Sequence, residues 1–133
     1  MSLNRGIESY RRTEVESRSP LELVVLLYDG ALRFTQEARD AMARRDIPAR
    51  SAAVSRALAI VGELQATLDF DRGGPLATSL DELYAFVTAR LMDASLRQDV
   101  GPLDEAIRVL TTLREGWTAA AGSPRSAGAA DAR

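Results

Sequence analysis

The sequence predicts an all-α protein, an antiparallel up-down four-helix bundle, on three observations. Apolar residues recur at helical spacing in four stretches, each roughly 20 residues or longer. Proline, glycine or a short polar turn separates each stretch from the next within about two to six residues, which forces sequence neighbours to run antiparallel. No period-two alternation of the kind that marks a strand competes with them.

Residues 1–18 are polar and rich in Arg and Ser, with Ile7, Tyr10 and Val15 as the sizeable apolar positions after Leu3. They read either as a loose leader or as a docking element, in which Ile7 and Tyr10, three apart, share one face of a helical turn and cap a groove. The first helix has a strong start signal. Ser19 and Glu22 make a capping box, and Pro20 occupies the first helical position, where a missing N–H costs nothing. The helix runs to about Arg45 on a stripe of Val24, Val25, Tyr28, Ala31, Leu32, Thr35 and Met42. Leu23, Leu27, Phe34, Ala38 and Ala41 widen that stripe, and Leu26 falls outside it.

Asp46-Ile47-Pro48 supplies a cap and a first-turn proline for the second helix, whose stripe is Ala53, Val54, Ala57, Ile60, Val61, Leu64 and Leu68, with Arg50, Arg56 and Glu63 off it. Asp71-Arg72-Gly73-Gly74-Pro75 breaks the pattern. A third helix then covers Leu76 to about Gln98, with Leu76, Leu80, Leu83, Tyr84, Val87, Leu91 and Ala94 inward and Phe86 and Met92 off the core face. After Asp99-Val100-Gly101-Pro102, the stripe Leu103, Ala106, Ile107, Val109, Leu110, Leu113 and Trp117 marks the fourth helix. The expected organisation is thus an N-terminal segment at 1–18, a bundle at 19–120 and a disordered Ser/Ala/Gly/Arg tail at 121–133.

Composition excludes most chemistry. The 133 residues contain no Cys and no His, and all 17 basic residues are Arg, so thiolate, imidazole and lysine chemistry are absent. The carboxylates at Asp69, Asp71, Asp99, Asp104 and Glu105 sit near helix ends, where acidic residues are expected as caps and dipole partners, and no catalytic, cofactor or metal site is expected. A net charge of −2 does not suit a protein that binds nucleic acid through phosphates, and no run is long and apolar enough for membrane insertion. Arg11-Arg12 and Arg44-Arg45 read as solvated surface, and Trp117 as a bundle anchor. One feature is left over: Leu23, Leu26, Leu27, Phe34, Phe86 and Met92 exceed what one core seam needs. They serve either helices that touch two neighbours or an exposed groove that takes a partner helix.

The motif Ser19-Pro20-x-x-Leu23-x-x-x-Leu27-Tyr28-Asp29-Gly30-Ala31-x-x-Phe34, with Tyr10 upstream, carries a resemblance to the FliS family of flagellar export chaperones. Leu68-Asp69 before Gly73-Gly74, Leu80-x-x-Leu83-Tyr84, Arg90-Leu91-x-x-Ala94 and Leu113-Arg114-x-x-Trp117 support it in the same order. It implies a non-enzymatic cytoplasmic chaperone that holds the disordered C-terminal segment of flagellin, prevents its premature polymerisation and delivers it to the type III export gate. The implied partner-binding residues are the surplus apolar positions together with Ile7 and Tyr10, which would cover the groove at rest, while Tyr28 belongs to the core. A self-associating bundle with a homodimer seam is the alternative from another class. An enzyme acting through carboxylates is the remaining one.

Overall fold

The computed structural model describes residues 19–122, which form four α-helices and no strand. These are α1 (Pro20–Ala43), α2 (Ile47–Ala66), α3 (Phe70–Arg97) and α4 (Val100–Gly122). Each spans roughly 30–40 Å at about 1.5 Å per residue. α1 packs on α2 and α4, and α3 packs on α2 and α4, closing the antiparallel ring expected from the short connections. The expectations for 1–18, including Ile7, Tyr10 and Arg11-Arg12, and for 123–133 lie outside the described residues.

Each helix start follows its local chemistry. The Ser19 hydroxyl accepts the Glu22 N–H at 3.2 Å, the Asp46 carboxylate accepts the Ala49 N–H at 3.1 Å, and Asp69 accepts from Asp71 and Arg72. These side chains satisfy backbone donors that have no partner inside the helix. α1 and α3 end in the same way. Arg45 and Gln98 adopt left-handed φ values of 59° and 55°, and the next N–H reaches back across the turn: Asp46 to the Ala41 carbonyl at 2.9 Å, Asp99 to Ala94 at 3.3 Å. Glycine is the usual occupant of this position because a Cβ is crowded there. Gln98→Gly is therefore expected to raise unfolding stability by about 0.5–1 kcal/mol in a urea titration, and a loss would show that the Gln98 side chain contributes more than its backbone costs.

The core is built on heptad spacing. In α3 the buried residues Ala77, Leu80, Tyr84, Val87, Leu91 and Ala94 alternate three and four apart, the pattern of a bundle seam. α1 and α2 meet through small side chains, Ala31, Ala38 and Ala41 against Ala53 and Ala57, all buried. The approach is close enough that a Cβ on Gly30 would lie 2.9 Å from the Ile60 Cδ1. Thr35 is buried, but its hydroxyl donates to the Ala31 carbonyl at 2.7 Å, which removes the cost of burying it unpaired.

Several sequence expectations need correcting. α1 stops at Ala43, and Arg44 caps it. The break before the third helix is a kink at Gly74, φ 50° and ψ −126°, preceded by a helical turn from Phe70. That backbone combination is open to glycine and not to residues with a Cβ. Leu76 and Leu83, expected inward, are 60% and 36% exposed. They lie one residue before Ala77 and Tyr84, in the same heptad row as Arg90 and Arg97, so they flank the seam. Arg50, expected on the polar face, is buried. Asp104 and Glu105 do not cap: they pair with Arg39 at 2.7 Å and Arg90 at 3.3 Å, and Asp99 is the residue that accepts the first-turn N–H, from Gly101. α4 also continues through Ala121 and Gly122.

Candidate partner-binding surface

The Leu27-Tyr28-Asp29-Gly30-Ala31 stretch sits where α1 meets three other helices. The Tyr28 hydroxyl lies 2.6 Å from that of Tyr84 on α3, and the Trp117 Nε1–H of α4 donates to Tyr28 at 3.2 Å. Beside this trio, Asp29 accepts from the Arg114 Nε–H of α4. Gly30 faces Ile60 of α2, and Ala31 is buried. The two tyrosine rings are 6.3 Å apart between centroids and inclined at 48°, a favourable tilted geometry. Desolvation is the first cause that raises both phenol pKa values; for Tyr84 the bond to Tyr28 raises it further, while for Tyr28 its two hydrogen bonds partly offset the rise. Both hydroxyls are neutral hydrogen-bonding groups at neutral pH.

The surplus apolar residues lie on two helices. On α1, Leu27 and Phe34 are half-buried against the core, Leu23 is half-buried, and Leu26 is exposed. The guanidinium carbons of Arg33 and of Arg56, from α2, lie 4.7 and 5.6 Å from the centroid of the Phe34 ring, so that ring is covered by cations. On α3, Phe86 and Met92 are exposed. Ring order puts α1 and α3 diagonally across the bundle, so these residues do not form one patch.

Sequence reasoning missed a denser group on α3. Leu76 and Leu83 join Phe86 on the flank from which Arg90 reaches Glu105 of α4. The antiparallel register set by that pair carries Leu83 and Leu76 past Thr112, Gly116 and Ala119, all exposed and all short. Along this flank α3 thus exposes large apolar side chains and α4 short ones; we call the flank between them the α3–α4 groove. The heptad row was the available signal, because Leu76 and Leu83 share it with two arginines and a row with two arginines is a boundary. Leu96, 81% exposed, stands on another face of α3 beyond this group.

Residues 3–124 match the family described as flagellar protein FliS. The chain belongs to the FliS family. It is 37% identical over 117 residues to the flagellar secretion chaperone FliS of Salmonella typhimurium, covering 84% of this chain and 87% of that protein. It is 35% identical over 117 residues to the flagellar secretion chaperone FliSB of Pseudomonas aeruginosa, with coverage of 85% and 93%. The flagellar secretion chaperone FliS of Bacillus subtilis is 30% identical over 125 residues, covering 94% and 92%.

The residues that carry the FliS resemblance are mostly structural. Tyr28, Asp29, Tyr84, Arg114 and Trp117 bond to one another and fix α1, α3 and α4 in mutual register. Tyr28 and Trp117 are therefore anchors of the bundle, as expected. The exposed large apolar side chains Leu26, Leu76, Leu83, Phe86, Met92 and Leu96 all lie outside the Leu-Tyr-Asp-Gly-Ala stretch. Among the described residues no group of three or more Asp or Glu is placed to hold a metal, and no helix is long and apolar enough to cross a membrane.

Proposed function

We propose that this FliS-family protein is a cytoplasmic chaperone for flagellin, holding its disordered C-terminal segment, preventing premature polymerisation and aiding delivery to the flagellar export gate. Family membership over residues 3–124 carries the reading, together with the similarity to flagellar secretion chaperones of other bacteria. Physical chemistry supplies the means. A chain that folds on binding loses conformational entropy, so it needs apolar surface to offset that loss. Leu26, Leu76, Leu83, Phe86 and Met92 offer such surface, and Leu23, Leu27 and Phe34 extend it on α1. Ile7 and Tyr10 are proposed to cover part of it until flagellin arrives, with 1–18 acting as a separate capping segment on the 19–120 bundle. Holding a segment in this way needs no catalytic residue and no cofactor.

Isothermal titration with the last ~40–60 residues of the cognate flagellin is expected to give a one-to-one complex with a negative heat-capacity change. Absence of heat and of co-elution would remove the reading. Placing charge in the groove locates the contact: Leu83→Asp and Phe86→Asp are each expected to weaken binding tenfold or more, since each side chain contributes about 1.5–3 kcal/mol when fully covered. Both positions are exposed, so thermal unfolding should move little. Unchanged affinity in both variants would place flagellin elsewhere on the bundle.

A further inference from the structure

At the end of the bundle away from Ser19 and Gly122, α1 and α3 finish and α2 begins. A cavity of about 390 Å³ opens there, lined by Met42, Arg45, Asp46, Ile47, Arg50 and Gln98 among others. Arg50 is the unusual member. It is only 9% exposed, its Nε has no hydrogen-bond partner, and no ion pair holds its guanidinium among the described residues.

A guanidinium presents five N–H donors and cannot discharge itself by losing a proton. Buried arginines are accordingly paired, because an unpaired buried charge is costly. Arg45 adds a second positive charge to the same wall. Asp46 is the one acid there, and its Oδ1 is engaged in capping α2 through the Ala49 N–H. The lining thus favours an anion. Met42 and Ile47 make part of it apolar, and the volume exceeds what a bare carboxylate or phosphate fills.

We propose that this cavity is a carboxylate-binding site. The Arg50 guanidinium grips the carboxylate, Arg45 adds charge at the rim, and Met42 and Ile47 take the aliphatic group that carries it. The fork geometry of arginine matches the two oxygens of a carboxylate, and the apolar wall selects an organic acid over an inorganic anion. The site is independent of the α3 groove and of the flagellin reading, and either can fail without the other.

Nitrogen-15 NMR of the full-length chain tests this through the Arg50 Nε–H resonance. N-acetyl-leucine is expected to shift it saturably and to bind about tenfold more tightly than acetate, the gain from partly burying an aliphatic side chain. N-acetyl-leucinamide, which has the same shape without the charge, should leave it in place. Arg50→Lys keeps the charge but loses the fork, so binding followed through the Ile47 and Asp46 amides should weaken severalfold. Arg45→Gln, at an exposed position, should weaken it with the fold intact. N-acetyl-leucyl-glycyl-leucine separates the sources of the carboxylate: tighter binding than N-acetyl-leucine assigns a peptide terminus, and equal binding a small organic acid, either result supporting the site. An Arg50 resonance unmoved by N-acetyl-leucine, moved equally by the amide, or moved more by inorganic phosphate than by acetate overturns the proposal.

Discussion

Tyr84→Ala is expected to destabilise the bundle by about 3–5 kcal/mol in urea unfolding, the range for removing a buried aromatic side chain. Tyr84 is almost fully buried, faces the Tyr28 ring, and places its hydroxyl 2.6 Å from that of Tyr28. The substitution empties the centre of the bundle and removes a hydrogen-bond partner of Tyr28 in one step. The polar share can be separated from the volume. Tyr28→Phe leaves both the Tyr84 hydroxyl and the Trp117 indole N–H without their partner, at roughly 1–3 kcal/mol for each group left buried and unbonded. Adding Tyr84→Phe removes one of those orphans, so the double variant should cost less than the two single variants summed. Strict additivity, or a Tyr84→Ala loss below about 2 kcal/mol, would show that the trio is not a coupled unit.

The second large effect is alkaline unfolding, which this composition isolates cleanly. Without His, Cys or Lys, the only side chains that titrate between about pH 6 and 12 are three tyrosines. Desolvation holds the folded-state pKa values of Tyr28 and Tyr84 above the ordinary phenol value of 10.0. The folded state therefore keeps these protons when the unfolded chain releases them. Linkage fixes the sign: the phenols' contribution to stability is fully present below about pH 10 and is lost as pH rises past it. Unfolding free energy should be nearly flat from about pH 6 to 9 and fall steeply above about pH 10. Phenolate absorption from this pair should appear together with loss of helical circular dichroism. In Tyr28→Phe/Tyr84→Phe the steep fall should largely disappear. Ionisation of both tyrosines in a chain that keeps its helices would contradict the burial on which this rests.

The bundle was legible because its determinants are local. Capping by Ser19 and Asp46 and the helical spacing of apolar residues act within a turn or two, and such signals find all four helices, although the start of α3 is placed at Leu76 instead of behind its cap Asp69. The errors came from nonlocal terms. Leu76 and Leu83 have the right period for a core, but their neighbours Ala77 and Tyr84 occupy the seam, and a half-step of helix rotation is not encoded in hydrophobicity alone. Arg50 is buried because two helix ends converge on it, which no pattern within α2 reveals. Asp104 and Glu105 lie near a helix start, as the sequence implies, yet their partners Arg39 and Arg90 stand on other helices and cannot be read from local spacing. The candidate site was half legible for the same reason. Phe86 stands out in the sequence as an off-face residue, while its grouping with Leu76 and Leu83 depends on the α3–α4 register as well.

Trp117 gives the bundle a built-in optical signal. It is the only tryptophan in the chain, and its indole is tied to the hydroxyl that joins α1 to α3. Tyrosine excitation transfers efficiently to a tryptophan this near, and indole emission moves to longer wavelength when water reaches the ring. One fluorescence spectrum thus reports whether α4 is seated against α1, with no label attached. A segment that lies in the α3–α4 groove and leaves this emission unaltered has bound to a closed bundle; one that shifts it has pried the last helix away.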